Sequence, residues 1–344
     1  METGIENDLI NEIAGKFQRL PSQVNRLSES DAEILDWNKK KADYLVLKTD
    51  GIFEEISQKL YEDPWLIGWM AITVTISDIA AVAADPMGIL LSLQIPWPYD
   101  PDWLHAFQKG INDACATYGV YVIGGDTNFT ASLSVSSTAV ATITGSKPLF
   151  RKKMLPGDLL YSTATLGIGN AFAYSRYFDP SIKINYRPIA RLTESKLVQQ
   201  YATACIDTSD GLFPAISVLA DINNAGIQLI TPLQDILHKD AARTCQMANI
   251  PAWMMLAGPH GEYELLFSIP ATKNKAFQKA CAVAGWQPVY LGNVITDKVV
   301  SFFSEETKVN CSPSLIANLF HQSSGNIPLY FKLLMQQHKN WHEQ

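Results

Sequence analysis

No Cys-x-x-Cys pair occurs in the chain, and its five cysteines (Cys115, Cys205, Cys245, Cys281, Cys311) are odd in number and far apart. That excludes a disulfide framework or a zinc ribbon and is the pattern of a reduced, cytosolic protein. Positive charge is scarce: 27 Lys and Arg stand against 34 Asp and Glu, for a net charge of −7. Basic residues cluster only at Lys39–Lys41 and Arg151–Lys153, so a nucleic-acid partner is not expected. The N-terminal Met1–Asp8 is acidic and lacks the basic and apolar regions of a signal peptide. There is no Gly-x-x-x-x-Gly-Lys-Ser/Thr phosphate loop, no Gly-x-Ser-x-Gly elbow and no His-Glu-x-x-His. Leu166-Gly-Ile-Gly169 is a lone glycine doublet without the rest of a dinucleotide fingerprint, and turn geometry accounts for it. Any bound ATP must therefore be held by another scheme.

What the chain does contain is apolar material for two ordinary domains: 344 residues, 47% hydrophobic and 18% charged. The most apolar stretch, Trp65–Ala84, is long enough to span a bilayer. Pro64, Asp78 and several Thr and Ser argue instead for a buried core helix, because intramembrane carboxylates are rare, and no membrane partner is expected. Asp63-Pro64 supplies its N-cap and first turn. Residues 1–30 read as a polar helix and a loop. Strand-like runs follow at Asp43–Thr49, Gly88–Ile95 and Val120–Gly125, the last running into a glycine turn, with an amphipathic helix from Asp102 to Tyr118. Ser132–Thr144 alternates, with Leu133, Val135, Ala139, Ala141 and Ile143 on one side. A basic run meeting Leu155-Pro-Gly-Asp158 marks a boundary, giving an N-terminal domain of residues 1–150 and a C-terminal domain of 151–344. The second half reads as strands at 159–164, 263–269, 287–291 and 299–303, with helices after 166–169 and at 189–204, 212–223 and 273–284. Past Ser304 the pattern is less regular, with a last helix near 329–338. The fold class is α+β, with an amphipathic sheet.

Carboxylates recur beside Gly, Ser or Thr near strand-like segments. Asp78 sits inside the apolar helix, where burial is costly unless compensated. Asp31 follows Ser30, Asp50 follows Thr49, and Asp126 follows Gly124-Gly125. Ile206-Asp-Thr-Ser-Asp-Gly211 carries two carboxylates, Asp207 and Asp210, between a strand and a helix start that favours phosphate. A helix cap would explain Ser209 or Asp210 alone, not the pair. Gly124-Gly-Asp-Thr127 taken alone is an ordinary turn more often than a site. Scattered carboxylates of this kind suit Mg²⁺, which prefers a few carboxylates plus water and substrate phosphates. A lone loop histidine such as His260 is more often solvated than catalytic, although Glu262 and Glu264 flank it.

In this order the motifs resemble the aminoimidazole-ribonucleotide-synthetase-like superfamily, and within it the thiamine-monophosphate kinases. Asp31-Ala-Glu-Ile-Leu35 is similar to the family's Gly-Asp-Asp-Ala-Ala-Val, and Thr49-Asp50 to its Thr-Asp-Thr. Ser77-Asp-Ile-Ala-Ala-Val-Ala-Ala-Asp-Pro86 is similar to Ser-Asp-Leu-Ala-Ala-Met-Gly-Ala-x-Pro. Gly124-Gly-Asp-Thr127, Arg151 ahead of Pro156-Gly-Asp158, Ile206–Leu212 and Tyr263–Phe267 complete the series. The resemblance implies two α/β domains, a homodimer formed through the N-terminal sheet, and ATP bound with several Mg²⁺ near the interface. It further implies Asp31, Thr49, Asp50, Asp78, Asp126, Asp207 and Asp210 as metal ligands. Gly125, Asp126, Arg151 and Ser209 would touch the nucleotide, and Asp210, Asp126 and Arg151 would serve catalysis.

The departures gather on the acceptor side. Ser30 replaces the first Asp of the family's pair, and Lys48 replaces the small hydroxyl residue before Thr49-Asp50. Gly51–Ser57 lacks the family's histidine, Asn128-Phe129 stands in place of Thr-Arg, and Pro259-His-Gly-Glu262 replaces Gly-Gly-Glu-Asp. The family's C-terminal Gly-aromatic-Asp-His-Phe segment is missing. An ATP- and Mg²⁺-dependent phosphotransferase with a different small-molecule acceptor is expected, with Glu54, Glu55, His260 and Glu262 facing an acceptor that carries amine or amide groups. Two alternatives stand beside it: an amide-activating enzyme of the same superfamily, and a non-catalytic nucleotide-binding subunit. Lys48 is expected either to take the place of one metal ion or to point to solvent.

Overall fold

A computed structural model of the protein describes residues 19–38 and 41–343. The helix expected within residues 1–30 falls outside them up to residue 18, and residues 19–30 run as turns. The first sheet has strands β1 (Glu33–Asn38), β2 (Asp43–Gly51), β3 (Asp85–Pro96), β4 (Val122–Thr130) and β5 (Ser134–Ile143), in the order β1-β2-β5-β3-β4. Only β3 and β4 pair in parallel. The alternation of β5 reads out directly: Val135, Ser137, Ala139, Ala141 and Ile143 are buried. Between the strands lie α1 (Phe53–Ser57), α2 (Pro64–Ala81) and α3 (Pro101–Tyr118).

Helix α2 begins as expected, with the Asp63 carboxylate accepting the Trp65 N–H at 3.2 Å and Pro64 in the first turn. Every residue from Leu66 to Ala81 is buried, so the apolar segment is core beside the first sheet. It packs on β2 and β5 and crosses α3 at glycines: a Cβ on Gly110 would meet the Trp65 carbonyl oxygen at 2.0 Å, and one on Gly68 the Phe107 carbonyl oxygen at 2.1 Å.

One expectation at β4 is corrected. There is no turn at Gly124-Gly125, because the strand continues to Thr130 with Leu91 opposite Gly125 and Ser92 opposite Asp126. The glycine serves close approach between strands instead: a Cβ on Gly125 would lie 2.0 Å from the Leu91 carbonyl oxygen.

The second sheet holds β6 (Asp158–Ser162), β7 (Ala204–Asp207), β8 (Gly226–Leu229), β9 (Leu265–Pro270), β10 (Val289–Ile295), β11 (Val300–Ser304) and β12 (Thr307–Cys311). Their order is β12-β11-β8-β10-β6-β9-β7. Helices α4 (Ile168–Tyr177), α5 (Leu192–Tyr201), α6 (Leu212–Asn223), α7 (Leu233–Ile236), α8 (Lys239–Ala248), α9 (Asn274–Val283), α10 (Leu315–Gln322) and α11 (Ile327–His342) complete it. The helix expected at 189–204 stops at Tyr201, because Ala204-Cys-Ile-Asp207 pairs with β9 as a strand. The tail is more regular than its sequence suggests, with β12, α10 and α11.

The end of α2 joins the two halves. Ala80, Ala81 and Ala83 pack with Leu149, Cys205, Leu265 and Phe267 in one buried cluster. That contact carries Asp78 to β7, where Asp207 ends.

Candidate active site

Ligand oxygens of Asp31, Asp78 and Asp207 all lie within 4.8 Å of one another, and all three residues are buried. They come from three separate places: the turn before β1, the last turns of α2, and the end of β7. Two side-chain cations stand among them. The Arg151 guanidinium donates to Asp31 Oδ1 at 2.7 Å. Lys48 Nζ lies 3.1 Å from Asp78 Oδ2 and 3.6 Å from Asp50 Oδ2. Asp207 accepts from the Ser77 hydroxyl at 2.6 Å and the Ser209 hydroxyl at 3.1 Å. Ser77 was not foreseen as a site residue. Its signal was its place directly before Asp78, which turns both toward β7.

The electrostatics are those of a carboxylate surplus. Burial, with Asp31 adding to it, pushes Asp207 up to about 6, against the pull of Ser77, Lys48 and Arg151. Burial also drives Asp78 well up; Lys48 draws it back, while Asp207, Asp50 and Asp31 push it higher. Burial alone would lower the Lys48 ammonium, but Asp78 and Asp50 outweigh it and its proton is held more tightly than usual. The buried Asp31 Oδ2 has no hydrogen-bond partner among the described residues. An orphaned carboxylate oxygen beside two more carboxylates is a hard-oxygen donor set, and it fits Mg²⁺.

A cavity of about 490 Å³ is lined by Asp78 and Asp207 of this cluster, by Lys48, Asp50 and Arg151 beside it, and by Ser209, Asp210, Tyr263, Glu54 and Glu55. Asp210 is no helix cap: the N-cap of α6 is Gly211, with no side-chain cap bond. The 208–211 turn is instead pressed against Gly261, where a Cβ would lie 1.7 Å from the Thr208 carbonyl oxygen. A second cavity of about 520 Å³ shares Glu54, Glu55, Asp210 and Pro214 with the first and continues to His260, Phe320 and His321. Burial pushes Glu55 up to about 7 and the His260 ring down to about 4. His260 Nε2 is enclosed and unpartnered among the described residues.

Four expected residues lie elsewhere. The Thr49 hydroxyl is turned to the other face of β2 and meets Thr138 at 2.8 Å, since side chains alternate along a strand. Asp126 and Gly125 lie on β4, an exposed edge strand at the far side of the sheet from β1. There Asp126 accepts from Asn128 at 2.6 Å. Glu262 is turned inward: its Oε2 accepts the Gly167 N–H at 2.7 Å, and it lines neither cavity.

The family model for the N-terminal domain of AIR synthase related proteins matches residues 29–145, which carry Asp31, Lys48, Asp50 and Asp78. The thiamine-monophosphate kinase of Methanospirillum hungatei is 30% identical over 240 residues, covering 67% of this chain and 77% of the relative. The chain belongs to the thiamine-monophosphate kinase family. That of Escherichia coli is 27% identical over 248 residues, covering 68% of this chain and 74% of its own. Among solved structures, AaThiL complexed with AMPPCP and TMP has a TM-score of 0.70 at 23% identity, covering 87% of this chain and 94% of the other. A HypE–HypF complex has a TM-score of 0.71 at 16% identity, covering 88% and 99%. The expected α+β fold of the aminoimidazole-ribonucleotide-synthetase-like type is therefore borne out, here with two sheets. The protein is an ATP-dependent, kinase-like phosphotransferase. In a kinase of this kind the cluster can hold Mg²⁺ through Asp31, Asp78 and Asp207, with Arg151 adding positive charge, and the adjoining cavity offers room for an acceptor.

Proposed function

We propose that this kinase transfers the γ-phosphoryl group of ATP to a small-molecule acceptor that carries amine or amide groups, and not to thiamine monophosphate. The observation that carries the reading is the wall of the second cavity. It bears Glu54, Glu55, Asp210, His260 and His321 and, among the described residues, no Lys or Arg, so it offers hydrogen-bond acceptors and negative charge rather than a cradle for an acceptor phosphate. Nucleotide phosphates and their Mg²⁺ belong over the carboxylate cluster, with Ser209, Asp210 and Arg151 beside them. When bound, Mg²⁺ would supply charge neutralisation at the transferring phosphoryl group. Arg151 is held in place by Asp31, and the 208–211 turn by Gly261, so positioning and electrostatics account for the chemistry without a dedicated general base. The amide-activating alternative would use His260 and Glu262 together, and it is less supported because Glu262 is turned to the Gly167 N–H and lines neither cavity.

A second copy of the chain fits the same reading. Strand β4 is exposed along its length, and Tyr121, Ile123, Phe129 and the nearby Trp97 are 75%, 59%, 62% and 66% exposed. An unpaired edge with such a surface suits pairing with its own copy, which would bring Asp126 and Gly125 to a nucleotide site. The five cysteines are all unpaired, in keeping with the cytosol.

The test is product analysis. Purified protein is incubated with ATP, Mg²⁺ and thiamine monophosphate, and separately with metabolite extracts, and ATP-dependent mass shifts are read. Little thiamine diphosphate and a phosphorylated amine- or amide-bearing product are expected. Losing one hydrogen bond to a charged group costs about 1.5–3 kcal/mol, and about 1.4 kcal/mol is tenfold, so several losses suppress turnover by orders of magnitude. Thiamine diphosphate formation at an ordinary metabolic rate overturns the proposal.

A further inference from the structure

We infer that Lys48 is a resident cation, its ammonium occupying the place between Asp50 and Asp78 where a divalent ion would otherwise bridge the two carboxylates. The nucleotide-bound kinase then holds one divalent ion fewer per chain than its carboxylate set would otherwise recruit. This rests on the phosphotransfer reading above and specifies the metal content of that site.

Strand alternation puts Val46, Lys48 and Asp50 on the face of β2 toward α2. Opposite Lys48 on β5 stands Ala139, and opposite Val46 stands Ala141, both small and buried, which leaves room for the lysine stem. The stem is thereby directed inward, and the side chain is 25% exposed while that of Asp78 is 7% exposed. Its Nζ reaches Asp78 Oδ2 at 3.1 Å and Asp50 Oδ2 at 3.6 Å. An ammonium is a compact point charge with three donors and no lone pair. It cannot serve as a metal ligand in that state, and it repels any ion placed between the same oxygens.

The other half of the cluster is left open. Arg151 takes Asp31 Oδ1, but Asp31 Oδ2 is buried without a partner among the described residues, and Asp207 accepts from the hydroxyls of Ser77 and Ser209 with no cation in direct contact among the described residues. Metal therefore has donors in Asp31 and Asp207, with Asp78 shared, while the place between Asp50 and Asp78 is already neutralised. A lysine aimed at solvent from a strand end would show neither short contact.

The probe is Mn²⁺, counted per chain by electron paramagnetic resonance in the presence of a non-hydrolysable ATP analogue. Lys48→Thr is expected to bind one more Mn²⁺ per chain than the wild type, and Lys48→Arg, which keeps the charge, the same number. Equal non-zero counts for wild type and Lys48→Thr overturn the inference and leave the phosphotransfer reading standing. No bound Mn²⁺ in any of the three overturns both. Anomalous scattering from wild-type crystals grown with Mn²⁺ decides without a variant: a peak bridging Asp50 and Asp78 with Lys48 displaced overturns the inference, and peaks confined to the Asp31–Asp207 side support it.

Discussion

Asp207 ends β7 among other carboxylates, and burial together with Asp31 holds its proton affinity at about 6. Such a residue destabilises the metal-free fold while equipping it for a cation, a common trade at functional sites. We predict that Asp207→Asn raises the melting temperature of the metal-free protein at pH 7.5 and removes Mg²⁺-dependent ATP binding; calorimetry should show a loss of at least about tenfold, as for disrupted metal shells. Asp210→Asn and Asp126→Asn should weaken binding too, and undiminished binding in all three, or in chelator, would refute the metal-bridged site. Glu262 gives a pH prediction. Burial pushes it up to about 8, so the folded protein keeps a proton that the unfolded chain releases near its ordinary 4.5. Stability from this group is therefore full below pH 4.5 and lost as pH rises through 8. His260, pushed down to about 4, acts on the acid side only and does not disturb the window above its ordinary 6.5. Glu262→Gln should flatten the fall in melting temperature between pH 6.5 and 8.5; an unchanged slope would count against a protonated Glu262.

Helices α2 and α3 meet through backbone at Gly68 and Gly110, and this contact sets where Asp78 stands. A methyl at Gly110 would sit 2.0 Å from the Trp65 carbonyl oxygen, so the helices must separate. Overpacking of this kind costs about 1–3 kcal/mol or more. Gly119→Ala provides the contrast: the residue ends α3 at φ 66° with nothing within 4 Å of a new Cβ, so only the left-handed backbone cost of about 1–2 kcal/mol applies. Thermal melts should show the larger loss for Gly110→Ala, together with weakened Mg²⁺-dependent nucleotide binding that Gly119→Ala does not share. Equal binding in both variants would show that the crossing does not position the site.

At the scale of the whole molecule, the proposed pairing of β4 with a second copy would bring that exposed edge to the distant carboxylate cluster. Ile123→Glu places a charge in the middle of that edge, where the side chain is 59% exposed. We predict a wild-type dimer by analytical sedimentation and a monomer for Ile123→Glu, with unchanged circular dichroism and weakened nucleotide binding. A monomeric wild type at micromolar concentration would remove Asp126 from the site.

Composition and periodicity by themselves determined the buried helix Pro64–Ala81 and the alternation of β5, because these are properties of neighbouring positions, and the order of the short motifs carried the resemblance to the family. A strand leading into Asp207 was legible from its motif, but the start of β7 was not, since apolar-rich residues such as Ala204 can continue a helix as readily as pair with β9. Only the tertiary structure decided that Asp31, Asp78 and Asp207 converge, that Thr49 and Glu262 turn away, and that Lys48 reaches Asp78. Those outcomes depend on which face of a strand meets which turn of a helix, and such a meeting is set by packing between segments tens to more than a hundred residues apart, which no local pattern records.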